Sequence, residues 1–230
     1  MSGSGDSERK FIGQAGLDGF AASWLSHVCR EDPAFPENTV CSIYYDTPAL
    51  DSYAEKANGD FLKTKYRLRW YEPDSGADPR RRTAFMEIKS RIGEERGKTR
   101  VKLDLARDWL DCADLDDPGF DDLLRRCSPD LKKPPPLNLS ATAAIRYRRR
   151  RFLCPFTFAR ICLDTDIGLA RANGRLIPGP GYVTISSVVL EIKGIARADI
   201  PWLRALYEAG FRRRSFSKYG ACMDRLARRT

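Results

Sequence analysis

The sequence predicts an α+β domain: an antiparallel sheet of about eight strands closed into a barrel, charged inside, with helices packed outside. Three observations carry this. Strand-like segments with period-two alternation follow one another through most of the chain, joined by turn-rich loops. In these segments the charged residues share one parity and the apolar residues the other. The helical segments carry apolar stripes that need a sheet face to cover.

Taken in order, residues 7–12 form a first short strand with Glu8 and Lys10 on one face. Residues 17–30 are a helix with Phe20, Trp24, Leu25 and Val28 at helical spacing, and His27 sits on its surface. Residues 32–38 loop into a strand at 40–45, which Asp46-Thr47-Pro48 ends. A short helix or turn at 49–57 and an Asn58-Gly59 turn lead to a strand at 61–71. There Lys65, Arg67 and Arg69 oppose Tyr66, Leu68 and Trp70. A polar loop holding Gly76 spans 73–82, strands lie at 84–91 and 98–105, and a Gly-bearing loop at 92–97 joins them. Asp117-Pro118 reads as an N-cap with proline at the first helical position, and the helix runs to Cys127 on Phe120, Leu123 and Leu124. Residues 128–140 are an extended connection within one domain. Strands follow at 143–152, 158–166 and 182–193, with a turn-rich loop at 171–181. Helices at 199–209 and 217–229 close the chain, and residues 1–6 are a flexible tail.

The totals narrow the function. A net charge of +9 favours an anionic partner. No apolar run is long enough for a transmembrane helix, and the first residues have no signal-peptide pattern. Seven cysteines without a CxxC predict reduced, buried thiols and a cytoplasmic location. The single histidine argues against a His-built metal site or a Ser-His or Cys-His nucleophile. Catalysis must then rest on carboxylates, lysines and arginines.

The charged parity recurs. Glu87 and Lys89 oppose Met86 and Ile88; Lys98, Arg100 and Lys102 oppose Thr99, Val101 and Leu103. Arg160, Asp164 and Asp166 oppose Ile161, Leu163 and Ile167; Glu191 and Lys193 oppose Leu190 and Ile192. One such strand is an ordinary half-buried strand with a wet outer face. For the set, a closed barrel turns the apolar face to the helices and lines a tunnel with charge. Desolvated charges need partners or a ligand. The excess of Lys and Arg implies a polyanion, and the few carboxylates suit a divalent metal. In the basic run 146–151, alternation lets at most half of the arginines line the tunnel; if Arg149 points in, Arg148 and Arg150 lie outside.

Several segments, in their order and spacing, carry a resemblance. They are Glu8-Arg9-Lys10-Phe11, Tyr44-Tyr45-Asp46-Thr47, Lys65-Tyr66-Arg67-Leu68-Arg69, Glu87-Ile88-Lys89, Tyr147 to Phe152, Arg160 to Thr165, Leu190-Glu191-Ile192-Lys193 and Ser215 to Tyr219. Together the chain resembles the VTC domain, the polyphosphate polymerase domain of the triphosphate tunnel (CYTH-like) superfamily. The resemblance implies a tunnel enzyme that transfers the terminal phosphate of ATP, or another nucleoside triphosphate, to polyphosphate with Mn²⁺ or Mg²⁺. It implies Arg67, Arg69, Lys89, Arg149, Arg160 and Lys218 as catalytic phosphate contacts. By the same resemblance, Lys10, Lys65, Lys98, Tyr147, Lys193 and Ser217 would be further phosphate ligands, and Glu191, Glu87 and Glu8 metal ligands. Two positions depart from the family pattern: a C-terminal lysine position is Ser215, with Arg212–Arg214 upstream, and the N-terminal acidic motif reads Asp6-x-Glu8-x-Lys10. A triphosphatase, another nucleotide enzyme of the superfamily such as an adenylate cyclase, and a non-catalytic polyphosphate-binding module are the alternatives. No specific nucleic acid is expected, and export of product would require a membrane partner protein.

Overall fold

Alternating segments become long strands wherever one parity can be buried. The computed structural model describes residues 8–57, 62–73, 78–92, 95–131, 134–179, 182–194 and 200–228. Asp6, the expected tail 1–6, the Asn58-Gly59 turn, Gly76 and Gly93 lie outside the described residues. The elements are β1 (Glu8–Gly13), α1 (Asp18–Val28), β2 (Arg30–Glu31), β3 (Glu37–Asp46), α2 (Asp51–Ala57), β4 (Leu62–Glu72), β5 (Arg81–Ile92), β6 (Glu95–Ala106), α3 (Arg107–Cys112), α4 (Pro118–Cys127), β7 (Ser140–Leu153), β8 (Arg160–Ala172), β9 (Val183–Ile185), β10 (Val188–Lys193), α5 (Leu203–Glu208), β11 (Arg212–Arg213) and α6 (Lys218–Ala227). Eight of these strands have six residues or more, and β2, β9 and β11 are short additions.

The class is α+β with a mostly antiparallel sheet, as expected. The expected closure is not found. The strand order β11-β1-β10-β8-β7-β3-β4-β5-β6 has two ends, and no pairing among the described residues joins them. Alternation fixes which face of a strand is apolar, but it does not encode the stagger and end-to-end pairing that closure requires.

The chain divides into two compact units, each discontinuous in sequence. The first comprises residues 1–39, 147–167 and 185–216. Its core joins Phe11, Ile161, Leu163, Leu190 and Ile192 of the strands to Ala21 and Leu25 of α1 and Leu203 and Leu206 of α5. The second comprises residues 40–146, 168–184 and 217–230. Its core joins Ile43, Tyr45, Tyr66, Leu68, Trp70, Met86 and Ile88 to Leu110 of α3 and to Phe120, Leu123 and Leu124 of α4. In each unit, helices therefore cover the apolar strand face and leave the charged parity on the other side.

Local details differ from the sequence pattern in instructive ways. Of the expected apolar stripe of α1, Leu25 is buried together with Ala21, whereas Phe20 is 44 % exposed. His27 is exposed beside Trp24. The strand expected over 182–193 is broken between β9 and β10 at Ser186-Ser187. Asp166 adopts φ 52° and turns away from Asp164, so it reaches Arg148 at 3.3 Å on the opposite face of β8. Asp tolerates this left-handed geometry better than most residues. All seven cysteines are unbridged; six are buried, but Cys112 is exposed. No helix among the described residues is long and apolar enough to cross a membrane.

Candidate functional site

In the second unit, strand register builds a basic face. Lys65, Lys89 and Lys98 lie directly across β4, β5 and β6 from one another. The next row is Arg67, Glu87 and Arg100, and the next Arg69, Phe85 and Lys102. Glu87 is 1 % exposed, and cations surround it. Arg67 approaches its Oε2 through Nη2 at 2.7 Å and Nε at 2.8 Å; Lys98 reaches Oε1 at 2.9 Å, and Arg69 lies at 3.9 Å. Burial pushes the Glu87 carboxyl up, but these three cations outweigh it and hold it down at about 2. Such an acid contributes stability that is complete above its unfolded value of 4.5 and is lost as pH falls toward 2. The full contribution is about 3 kcal/mol. Urea unfolding at pH 7 and pH 3 is expected to show an acid loss that Glu87→Gln reduces; an identical acid loss in both proteins would contradict this ion pairing.

The polar parity of β3 completes the face. Ser42, Tyr44 and Asp46 alternate with the core residues Cys41, Ile43 and Tyr45. Ser42 Oγ accepts from Arg69 Nε at 3.0 Å and so fixes that guanidinium. Burial raises the Tyr44 phenol, but Arg67, Arg69 and Lys218 outweigh it, and the phenol is lowered to about 8. An ultraviolet pH titration is expected to show one tyrosine ionising near pH 8, and Tyr44→Phe should remove that step. Persistence of the step would place the perturbed phenol elsewhere.

Lys218 is positioned by its neighbours. Ser217 caps α6, its Oγ accepting from the Gly220 N–H at 3.2 Å. The same hydroxyl accepts from Lys65 Nζ at 3.3 Å. Tyr219 stacks on Tyr44 with ring centroids 5.2 Å apart and donates its O–H to Asp46 Oδ2 at 2.7 Å. Asp46 is fully buried and also accepts from the N–H groups of Thr47, Ser52 and Tyr53. Lys218 itself is 8 % exposed at the first turn of α6.

In the first unit, the charged face carries both signs. Glu8, Lys193 and Arg160 form one row across β1, β10 and β8, and Lys10, Glu191 and Cys162 form the next. Arg149 pairs with both oxygens of Asp164, at 2.6 and 2.7 Å, and with Glu191 Oε2 at 3.0 Å. Its guanidinium also lies 5.4 Å from the Tyr147 ring centroid. Burial lowers the Arg149 pKa, but Asp164, helped by Glu191, outweighs that and raises it well above the usual value. Lys10 Nζ lies 3.3 Å from Glu8 Oε1 and 3.5 Å from Glu191 Oε1, and it donates to the Phe216 carbonyl at 3.1 Å. Arg148 and Arg150 lie on the opposite face, where Arg148 meets Glu37 and Asp166, and Arg150 meets Glu31 and Glu37.

The register thus groups Lys65, Arg67, Arg69, Glu87, Lys89, Lys98, Ser217 and Lys218 in the second unit. It groups Glu8, Lys10, Tyr147, Arg149, Arg160, Glu191 and Lys193 in the first. Ser42, Tyr44 and Asp46 escaped the sequence reading of the site, and Asp164 was read only as part of the charged face. The period-two polarity of Ser42, Tyr44 and Asp46 was the available signal. No group of three or more His, Cys, Asp or Glu side chains is arranged to hold a metal ion among the described residues. Glu8 and Glu191 converge on Lys10 and supply the hard oxygen donors that Mg²⁺ or Mn²⁺ takes. Two carboxylates fit an ion whose remaining ligands are water and phosphate oxygens. Glu87, enclosed by three cations in the other unit, is better suited to orienting guanidiniums.

One solved structure shares this architecture, and a family pattern matches the sequence. A candidate adenylate cyclase of Bacillus halodurans has a similar fold, with a TM-score of 0.51 and 15% identity over 92% of this chain and 93% of that one. A conserved hypothetical protein of Pyrococcus furiosus gives a TM-score of 0.41 and 11% identity over 88% of this chain and 87% of its own. No curated protein matches the sequence. The VTC domain pattern matches residues 24–227. That stretch includes the three rows of β4, β5 and β6, the Arg149–Asp164–Glu191 cluster and the capped Lys218, so the chain belongs to the VTC domain family.

Proposed function

We propose that the protein is a phosphotransferase that adds the terminal phosphate of ATP, or another nucleoside triphosphate, to a polyphosphate chain. The observation that carries this is the row of Lys65, Lys89 and Lys98 beside Arg67 and Arg69, with one buried carboxylate among them. Like charges directly across a sheet destabilise it. Three cations converge on Glu87 and two more lysines share their face, an excess of positive charge that suits an anionic ligand of high charge density. Membership of the VTC family makes condensed phosphate the leading candidate.

The chemistry needs no histidine. Phosphoryl transfer depends on positioning and charge stabilisation. An oxygen of the terminal phosphate of the chain attacks the γ-phosphorus. The bond to the bridging oxygen breaks, and its electron pair leaves on the nucleoside diphosphate. Arg67 and Arg69, oriented by Glu87 and Ser42, offer fork-shaped donors to phosphoryl oxygens. Lys218 supplies a compact charge, and the Tyr44 phenol a hydrogen bond. On the first unit by itself, Glu191 and Glu8 would be the protein ligands of a bound Mg²⁺ or Mn²⁺, which would neutralise phosphate charge. The acceptor is already ionised, so a strong general base is unnecessary.

The likeness to a candidate adenylate cyclase supports a second reading, in which the same face serves another nucleotide reaction. Incubation with ATP and Mn²⁺ or Mg²⁺, followed by gel separation of products, distinguishes them. Long polyphosphate and nucleoside diphosphate are expected. Cyclic AMP alone, free phosphate alone, or no turnover would overturn the polymerase reading.

A further inference from the structure

The charged face of the first unit does not end at Lys10. Short strand β11 pairs with β1, placing Arg212 opposite Ile12. Ile12 lies opposite Val189, and Val189 opposite Asp164. Arg212 therefore shares the face of Asp164 and Arg149, one edge strand further out. The Arg214 N–H donates to the Lys10 carbonyl at 3.1 Å, and alternation puts the Arg214 side chain on the same face as Arg212.

Both arginines line a cavity of about 360 Å³ together with Gln14, Ser186 and Ser187. The break between β9 and β10 places the two serines there. Gly13 also borders it, and a Cβ at that position would meet the buried Phe211 ring at 2.7 Å, so close packing of β1 on the core requires glycine there. Arg212 Nη1 donates to the carbonyls of Tyr207 and Phe211, at 2.6 and 2.9 Å, which anchors one edge of its guanidinium. No carboxylate forms an ion pair with Arg212 or Arg214 among the described residues. Another cavity on this unit, about 420 Å³, differs: its Arg148 and Arg150 are already paired with Glu37, Glu31 and Asp166.

We propose that Arg212 and Arg214, with Ser186, Ser187 and Gln14, form an outlying subsite that holds a segment of linear polyphosphate. The choice of polyphosphate rests on the function proposed above. The geometry favours it over single-stranded nucleic acid, because the cavity lining has no aromatic platform on which bases would stack. Repeating phosphates offer closely spaced oxygens to two arginine forks and two hydroxyls. A chain retained there would stay bound between additions, so the subsite would govern product length.

The test is calorimetric titration of the whole protein with sodium polyphosphate, without nucleotide, on wild type and on R212S/R214S. At least a tenfold loss of affinity is expected in the double variant, with most of it recovered in R212K/R214K. The KM for ATP should stay within twofold while product chains shorten. Should the double variant melt early, R214S alone decides, and at least a threefold loss is expected. Wild-type affinity in a folded R214S or R212S/R214S would overturn the subsite and leave the polymerase reading standing. Loss of polyphosphate affinity in a protein that makes no polyphosphate would support the subsite and overturn that reading. A wild type that binds no polyphosphate would overturn both. Displacement by an oligonucleotide of equal charge would overturn the assignment in favour of a nucleic-acid surface.

Discussion

Asp164→Ala is expected to destabilise the protein by about 3–5 kcal/mol, because it strands a buried guanidinium. Asp164 is fully buried and binds Arg149 through both oxygens. Glu191, at 3.0 Å, remains as a partial counter-charge and limits the loss. For a chain of this size the melting temperature should fall on the order of 10 °C. Replacing both partners with apolar residues, Arg149→Met with Asp164→Leu, should recover most of the stability, since desolvating the pair costs nearly what its attraction returns. Thermal and urea unfolding of the two variants measure this. A loss under about 1 kcal/mol for Asp164→Ala would mean that Arg149 is not committed to this pair.

Arg67→Ala with Arg69→Ala should lower kcat/KM for ATP by about 10²–10³-fold or more, the usual effect of removing a preorganised donor from a developing charge. Both guanidiniums are fixed before any ligand arrives, Arg67 by Glu87 and Arg69 by Ser42. Glu87 keeps Lys98 at 2.9 Å in the double variant, so the fold should survive and the loss should be one of activity. Arg67→Lys should restore charge without the two-pronged geometry and recover only part of the rate. A change within threefold for the double alanine variant would remove these arginines from the chemistry.

How much was legible in the sequence depended on the distance over which each feature is decided. Parity is local. It placed Leu68 and Trp70 against α3 and α4, and Arg67 and Arg69 on the opposite face with Glu87. The Asp117 cap was similarly readable. Closure of the sheet was not legible, because it depends on pairing between strands far apart in sequence, and the order found has two ends. Asp166 escaped because one residue with φ 52° reverses parity without a glycine to announce it. Tyr44 escaped for another reason. An aromatic on a strand reads as core, and only Arg67, Arg69 and Lys218, distant in sequence, make its phenol a functional group. The face that Arg212 and Arg214 share was not legible, because only their register with Ile12 and Lys10 assigns it.

The central claim is that the basic faces of β4, β5 and β6 hold phosphate. A crystal structure with a non-hydrolysable ATP analogue and Mn²⁺ tests it most directly. The account predicts phosphoryl oxygens within hydrogen-bond distance of Arg67, Arg69 and Lys218, on the same side of the strands as Glu87. Phosphates bound on the opposite strand face or in the Arg148–Arg150 cavity, with none at Arg67 or Arg69, would contradict it.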